Sequence, residues 1–187
     1  MNILYVNAAF REGSRTQIMA KNYMKKHNYA SYETVDLGTM DLTPLNAETL
    51  KIYNKAVEEH DFSHPMFDPA RQFANADIIV IAAPFWNFGL PAVLNTYLEL
   101  VCAQGITFDI DEKGEYHSLC KAKELIFLTT AGGKLPRKTH AFGYLKTLSD
   151  VFFKIRTVDY YYADELDLPG TDVSSAVEHP DYDGYIG

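Results

Sequence analysis

The sequence predicts an α/β protein with a doubly wound parallel sheet of five strands, and three observations carry that expectation. Short apolar stretches alternate with helix-length stretches along the chain. One of them, Asp77–Ala83 (DIIVIAA), is apolar almost without a break, the signature of a strand buried on both faces. The chain has 187 residues, which suits a single domain over 1–187 with one core.

The elements follow in order. Ile3–Asn7 is apolar and β-branched and reads as the first strand. A loop leads to Ser14, whose hydroxyl can cap a helix running to His27, with Ile18, Met19 and Tyr23 at helical spacing. Tyr32–Leu37 alternates and reads as the second strand. Pro44 fits the first turn of a further helix carrying Leu45, Leu50, Tyr53 and Val57. His60–Pro69 is rich in turn residues, and Phe67–Asn75 has helical character. After the buried strand Asp77–Ala83, Pro91–Cys102 reads as a helix with proline in its tolerated first turn. Glu124–Thr130 is the fourth strand, Thr139–Phe153 a helix and Thr157–Tyr162 the fifth strand.

Strands joined by crossover helices imply right-handed βαβ units. Five such strands suit the flavodoxin-like order 2-1-3-4-5, which binds ligands beyond the carboxyl ends of the strands at its switch point. The loops after the first, third and fourth strands fall there, and all three are compositionally unusual.

Composition narrows the function classes. A formal net charge of -8 at pH 7 argues against nucleic acid as the main partner. No apolar run approaches about 18 residues, so no membrane span is expected. The N-terminus reads as a strand rather than a signal peptide. Cys102 and Cys120 lack a CxxC partner and read as buried thiols. Together these point to a cytoplasmic location. The aromatic fraction is high, with 13 Tyr and 11 Phe, and composition leaves open whether they fill the core or bed a flat ligand.

The first loop, Ala8–Gln17 (AAFREGSRTQ), offers Gly13 for a tight backbone, the hydroxyls of Ser14 and Thr16, and the guanidinium groups of Arg11 and Arg15. N–H groups and the dipole at a helix start bind phosphate. The loop is neither GxGxxG nor a P-loop, so it suits one terminal phosphate better than a pyrophosphate. The plainer alternative is an N-cap with solvated arginines. In the second loop, Pro84–Gly89 (PFWNFG), the aromatics are consecutive, and one face of a strand or helix cannot bury them all. Phe85, Trp86 and Phe88 can bed a planar ring while Asn87 and backbone N–H groups bond its heteroatoms. An aromatic plug is the alternative. The third loop, Thr129–Arg137 (TTAGGKLPR), has Gly132 and Gly133 for close backbone approach, Thr130 as a donor, and Lys134 or Arg137 to attract an anion. A plain βα turn uses Gly-Gly equally well.

Together these loops resemble the FMN-dependent NADH-azoreductase family of flavodoxin-like NAD(P)H:quinone reductases. The most specific match is residues 82–101, AAPFWNFGLPAVLNTYLELV, followed by Gly105–Phe108. TTAGG matches a Ser/Thr-x-Gly-Gly element, and Ser14 with Thr16 matches a Ser-x-Ser/Thr phosphate element. The resemblance spans residues 1–165 or so. It implies that Ser14, Thr16 and the Arg15 backbone, aided by Arg11, bind the FMN phosphate. Pro84, Phe85, Trp86, Asn87 and Phe88 would line the isoalloxazine, and Thr130, Ala131, Gly132 and Gly133 would close on its pyrimidine edge. It also implies a homodimer with the site at the subunit interface. Phe108 and Tyr116, in the hairpin-like stretch Ile106–His117, would then cover a neighbour's flavin.

The implied reaction is hydride transfer from NADH or NADPH to FMN and on to a quinone or azo compound, with Asn87 stabilising negative charge on the reduced ring. Two departures stand out. Ala9 replaces a frequent Ser, and the tail after Leu168 allows only a short helix, broken by Pro180. A flavodoxin-type electron carrier would suit the acidity, but the phosphate loop is long and basic for one. A metal hydrolase built on His60, Asp61, His64 and Asp68 is the weaker rival, since that segment reads as a solvated loop.

Overall fold

The computed structural model describes residues 1–136 and 140–186. In chain order the elements are β1 (Ile3–Asn7), α1 (Arg15–Lys26), β2 (Glu33–Asp36), α2 (Thr49–Glu59), α3 (Asp68–Asn75), β3 (Ile78–Ala82), α4 (Ala92–Val101), β4 (Phe108–Ile110), β5 (Tyr116–Ser118), β6 (Glu124–Thr130), α5 (His140–Leu148), β7 (Thr157–Ala163), α6 (Val173–Glu178) and β8 (Asp181–Ile186). The main sheet has the order β2-β1-β3-β6-β7-β8. Its first five strands are parallel and keep the expected 2-1-3-4-5 order.

The sixth strand, β8, was not expected and pairs antiparallel with β7. Its origin is local. Helix α6 has only 6 residues, and Pro180 cannot continue it because proline lacks the N–H and clashes with the preceding turn. The chain leaves α6 there and returns along the sheet edge.

The continuous apolar run of β3 is buried on both sides. Ile79 and Ile81 pack with Phe73, Leu94 and Leu98 of α3 and α4. Val80 and Ala82 face the other way, onto Met19, Ala20 and Tyr23 of α1. Helix α2 begins at Thr49 rather than at Pro44, because the Asn46 carboxamide oxygen accepts the N–H groups of Glu48 and Thr49. Of the expected Thr139–Phe153 helix, Thr139 lies outside the described residues, and 149–153 form a π turn ending at Lys154, whose φ is +48°.

Both cysteines are free, and burial pushes each thiol up to about 12, so neither is an activated nucleophile at neutral pH. His60 closes α2 in the left-handed region, and the His64 ring nitrogen accepts the N–H of Met66 at 3.2 Å. Among the described residues no group of three His, Cys, Asp or Glu could hold a metal ion. No helix of the described residues is long and apolar enough to cross a membrane.

Glu124 opens β6 opposite Thr157, so Asp159 lies two residues along the same face of β7. Burial, and then the Asp159 carboxyl, hold the Glu124 carboxyl above its usual range. A raised folded pKa means the folded state holds the proton more tightly. That stabilisation is complete in acid and is lost as pH rises through the folded value. At neutral pH two carboxylates therefore repel across the strands. Glu124→Gln should raise stability at pH 7 by about 0.5 kcal/mol, and the gain should vanish toward about pH 4, where wild-type Glu124 is protonated. Thermal unfolding followed by circular dichroism at both pH values checks this.

Candidate functional site

The parallel ladder continues past the strand ends and fixes where each loop begins. The N–H of Ala8 donates to the Ala82 carbonyl at 2.8 Å, and that of Ala83 to Leu128 at 3.0 Å. The N–H of Phe85 donates to Thr130 at 2.9 Å, and that of Ala131 to Ala163 at 3.0 Å. The three loops singled out by composition thus leave the sheet side by side, and between them lies a cleft of about 370 Å³. That volume is within the range of small-molecule and cofactor sites.

One end of the cleft is the start of α1. Buried Asn7 accepts the N–H of Ala9 at 3.0 Å, which bends the chain out of β1. A turn closed by the Ser14 N–H on the Arg11 carbonyl at 3.0 Å follows, with Gly13 at a φ of +67°. Left-handed backbone of this kind is the reason for glycine here. Ser14 caps α1 by accepting the N–H of Gln17 at 3.4 Å. The N–H groups of Arg15 and Thr16, in the first helical turn, have no intrahelical acceptor and point to the positive end of the dipole. Arg11, Ser14, Arg15 and Thr16 all line the cleft.

Pro84, Phe85 and Trp86 form the apolar wall. Phe85 packs on the main core, whereas Trp86 and Phe88 are exposed. The loop closes as a two-residue reverse turn. The N–H of Gly89 donates to the Trp86 carbonyl at 2.9 Å, and the N–H of Trp86 returns to the Gly89 carbonyl at 3.1 Å. Asn87 and Phe88, at φ of +50° and +61°, take the two left-handed positions of a type I′ turn. Asn87 lines a neighbouring open cavity of about 690 Å³, which shares Phe10 and Trp86 with the cleft.

The third wall is Thr130, Ala131 and Gly132. The Thr16 and Thr130 hydroxyls, both buried, are 2.7 Å apart and bond across the cleft floor. Two hydroxyls hold two donor hydrogens and their mutual bond uses one, so one remains for a ligand. Gly132 has a different neighbour from the one expected. A Cβ there would overlap the Asp167 carboxylate, so the close approach it permits is to a protein side chain. Gly133 and Lys134 are exposed and lie off the cleft wall, and Arg137 lies outside the described residues.

Phe108 and Tyr116 are not brought to the cleft of their own chain. Phe108 is 7% exposed and stacks on Phe152 at 4.3 Å, so it anchors the β4–β5 hairpin. Tyr116, on the same hairpin, is exposed. Phe10 and Asp167 line the cleft and no sequence motif picked them out. Gly38 makes room for Phe10, whose Cβ lies 2.5 Å from where a Gly38 side chain would start. Asp167 follows β7, and the rule that the carboxyl ends of the strands carry the site would have found it had that loop been read too.

A parallel sheet of this order, with a helix start and an aromatic wall meeting at its switch point, defines a flavodoxin-like protein with a ligand cleft. The chain belongs to the flavodoxin-like fold family, whose model matches residues 1–179. Its relatives include FMN-dependent NADH:quinone oxidoreductase 2 of Clostridium acetobutylicum, 33% identical over 95% of this chain and 92% of the relative. An FMN-dependent NADH:quinone oxidoreductase of Clostridium perfringens is 30% identical over 94% of this chain and 92% of its own. Among solved structures, an FMN-dependent NADH-azoreductase from Bacillus anthracis in complex with FMN has the same fold, with a TM-score of 0.79 at 20% identity over 95% of this chain and 93% of that one.

Phe88 is 72% exposed. A non-glycine residue in the left-handed region costs about 1–2 kcal/mol, more than the flexibility glycine would restore to the unfolded chain, about 0.5–1 kcal/mol. Phe88→Gly should therefore stabilise the fold by about 0.5 kcal/mol, read as a higher midpoint in urea unfolding. A clear loss of stability would show that the edge-to-face contact of Phe88 with Phe85, 6.2 Å between ring centres, outweighs the backbone strain.

Proposed function

We propose that the chain binds FMN in this cleft and works as an NAD(P)H-dependent reductase of quinones or azo compounds. The observation that carries the reading is the convergence of three separately unusual loops on one cleft, with anion donors at one end and a flat apolar wall at the other. The names of the relatives at 30% identity and above support it.

The donor set fits the cofactor. A phosphate would take the first-turn N–H groups of Arg15 and Thr16 together with the Ser14 hydroxyl, and the Arg11 and Arg15 guanidinium groups balance its charge. Pro84, Phe85 and Trp86 supply apolar surface for a tricyclic ring. The hydroxyl hydrogen left over by the Thr16–Thr130 pair, and the main-chain N–H of Gly132 on the cleft wall, serve its polar edge. Bound FMN supplies reversible hydride chemistry between NADH or NADPH and an electron acceptor. The chain contributes orientation, a water-poor wall and hydrogen-bond donors. Neither Cys nor His lines the cleft among the described residues, which suits chemistry without a side-chain nucleophile.

Asn87 lines the larger cavity next to Trp86, which borders both spaces, so its carboxamide is offered to whatever enters beside the ring. Phe10, Trp86 and Tyr144 are exposed around that cavity and Phe88 is exposed on the adjoining turn, and such a patch favours a covering partner. A homodimer would cover it, and Tyr116 on the hairpin would be presented to a second copy. The acidic net charge fits small-molecule substrates rather than nucleic acid, and the two free thiols fit a cytoplasmic location.

Stopped-flow mixing of the FMN-loaded protein with NADH tests the activity. Bleaching of the flavin band within seconds is expected. A flavin that stays oxidised for minutes with both NADH and NADPH would indicate an electron carrier and contradict the proposal.

A further inference from the structure

The fourth wall of the cleft is the loop after β7. It is zipped to the glycine-rich loop by three main-chain bonds. The N–H groups of Glu165, Leu166 and Asp167 donate to the carbonyls of Gly133, Ala131 and Gly132 at 3.1, 3.2 and 2.9 Å. Glu165 adopts a φ of +56° to make this possible, an uncommon conformation for a non-glycine residue. The loop thereby holds the Asp167 carboxylate against Gly132, where no side chain would fit.

From there Asp167 accepts a hydrogen bond from the Arg15 guanidinium at 2.7 Å, joining residues 152 apart in sequence. Arg15 is the first residue of α1, so its own N–H belongs to the anion-binding end. A fixed negative charge thus lines the same cleft as the phosphate donors and engages one of its two guanidinium groups. Any dianion bound at the start of α1 must share Arg15 with Asp167 and bear its repulsion. A neutral ligand lying only on the aromatic wall would feel neither effect.

We propose that Asp167 is a specificity-determining residue of the cofactor site, which weakens the grip on the phosphate end and so lowers the preference for phosphorylated over unphosphorylated flavin. The proposal rests on the FMN reading above. Exposed ion pairs are modest in strength, and the Asp167 side chain is 68% exposed. The expected effect is accordingly a tightening of FMN binding by about three- to tenfold on its removal, given that a dianion is involved.

The test is quenching of flavin fluorescence on titration into the apo form of the full chain, with FMN and with riboflavin. Asp167→Asn keeps the shape and the main-chain bond to Gly132. It should bind FMN about three- to tenfold more tightly while riboflavin affinity stays within about twofold. The FMN gain should shrink at high salt, and Arg15→Gln in the Asp167→Asn background should remove the part of it that comes from freeing Arg15. Asp167→Ser provides a second variant if the first folds poorly, as judged by circular dichroism. A folded variant that binds FMN no more tightly, or that tightens equally for riboflavin, overturns the inference alone. A wild-type protein that quenches neither flavin overturns the cofactor reading, and the inference with it.

Discussion

Strands buried on both faces leave a parallel sheet no choice but to be crossed by helices packed on its two sides, and the direction of those crossings creates the site. After β1 the chain turns to the face where α1 and α6 lie. After β3 it turns to the face of α3, α4 and α5. The two departing loops separate at that switch and leave a crevice. Because main-chain bonds carry on from each strand into its loop, the walls of the crevice are positioned by the sheet rather than by the loops' own contacts. The anion-binding end and the aromatic wall both rest on that rigid edge.

Side chains then complete what the ladder begins. The Thr16–Thr130 hydrogen bond ties the start of α1 to the end of β6, and the Arg15–Asp167 pair ties the same helix start to the loop after β7. The Thr16–Thr130 bond holds the anion-binding end in place before any ligand arrives, which lowers the ordering cost of binding, whereas a phosphate there must share Arg15 with Asp167. Part of the local strain is spent at the same edge. Asn87 and Phe88 in the second loop and Glu165 in the loop after β7 are left-handed non-glycine residues, as are Asn28, His60 and Lys154 at helix ends elsewhere.

Most of the frame was legible in the sequence because it is written in periodicity. The run DIIVIAA reports burial on two faces, and Ser14 and Pro91 mark helix starts that the structure keeps. The three loops were legible because their compositions are odd for surface loops. The remainder was hidden for physical reasons. Pro180 announces the end of a helix but not that the tail returns as a strand, since β8 depends on pairing with β7 and its own DYDGYI pattern is weakly apolar. Gly132 reads as room for a ligand, and only tertiary structure places Asp167 there. Aromatics serve equally as core and as ligand contacts, and sequence does not show that Phe108 stacks on Phe152 within the chain. Phe10 lies in a loop whose charged and hydroxyl side chains dominate its composition.

The central claim is that the edge of this sheet holds a flavin. The visible absorption spectrum of the protein after incubation with FMN and gel filtration tests it most directly. Retained bands of oxidised flavin, near one equivalent per chain, are the predicted result. A colourless protein, with all of the FMN eluting separately, would contradict the account.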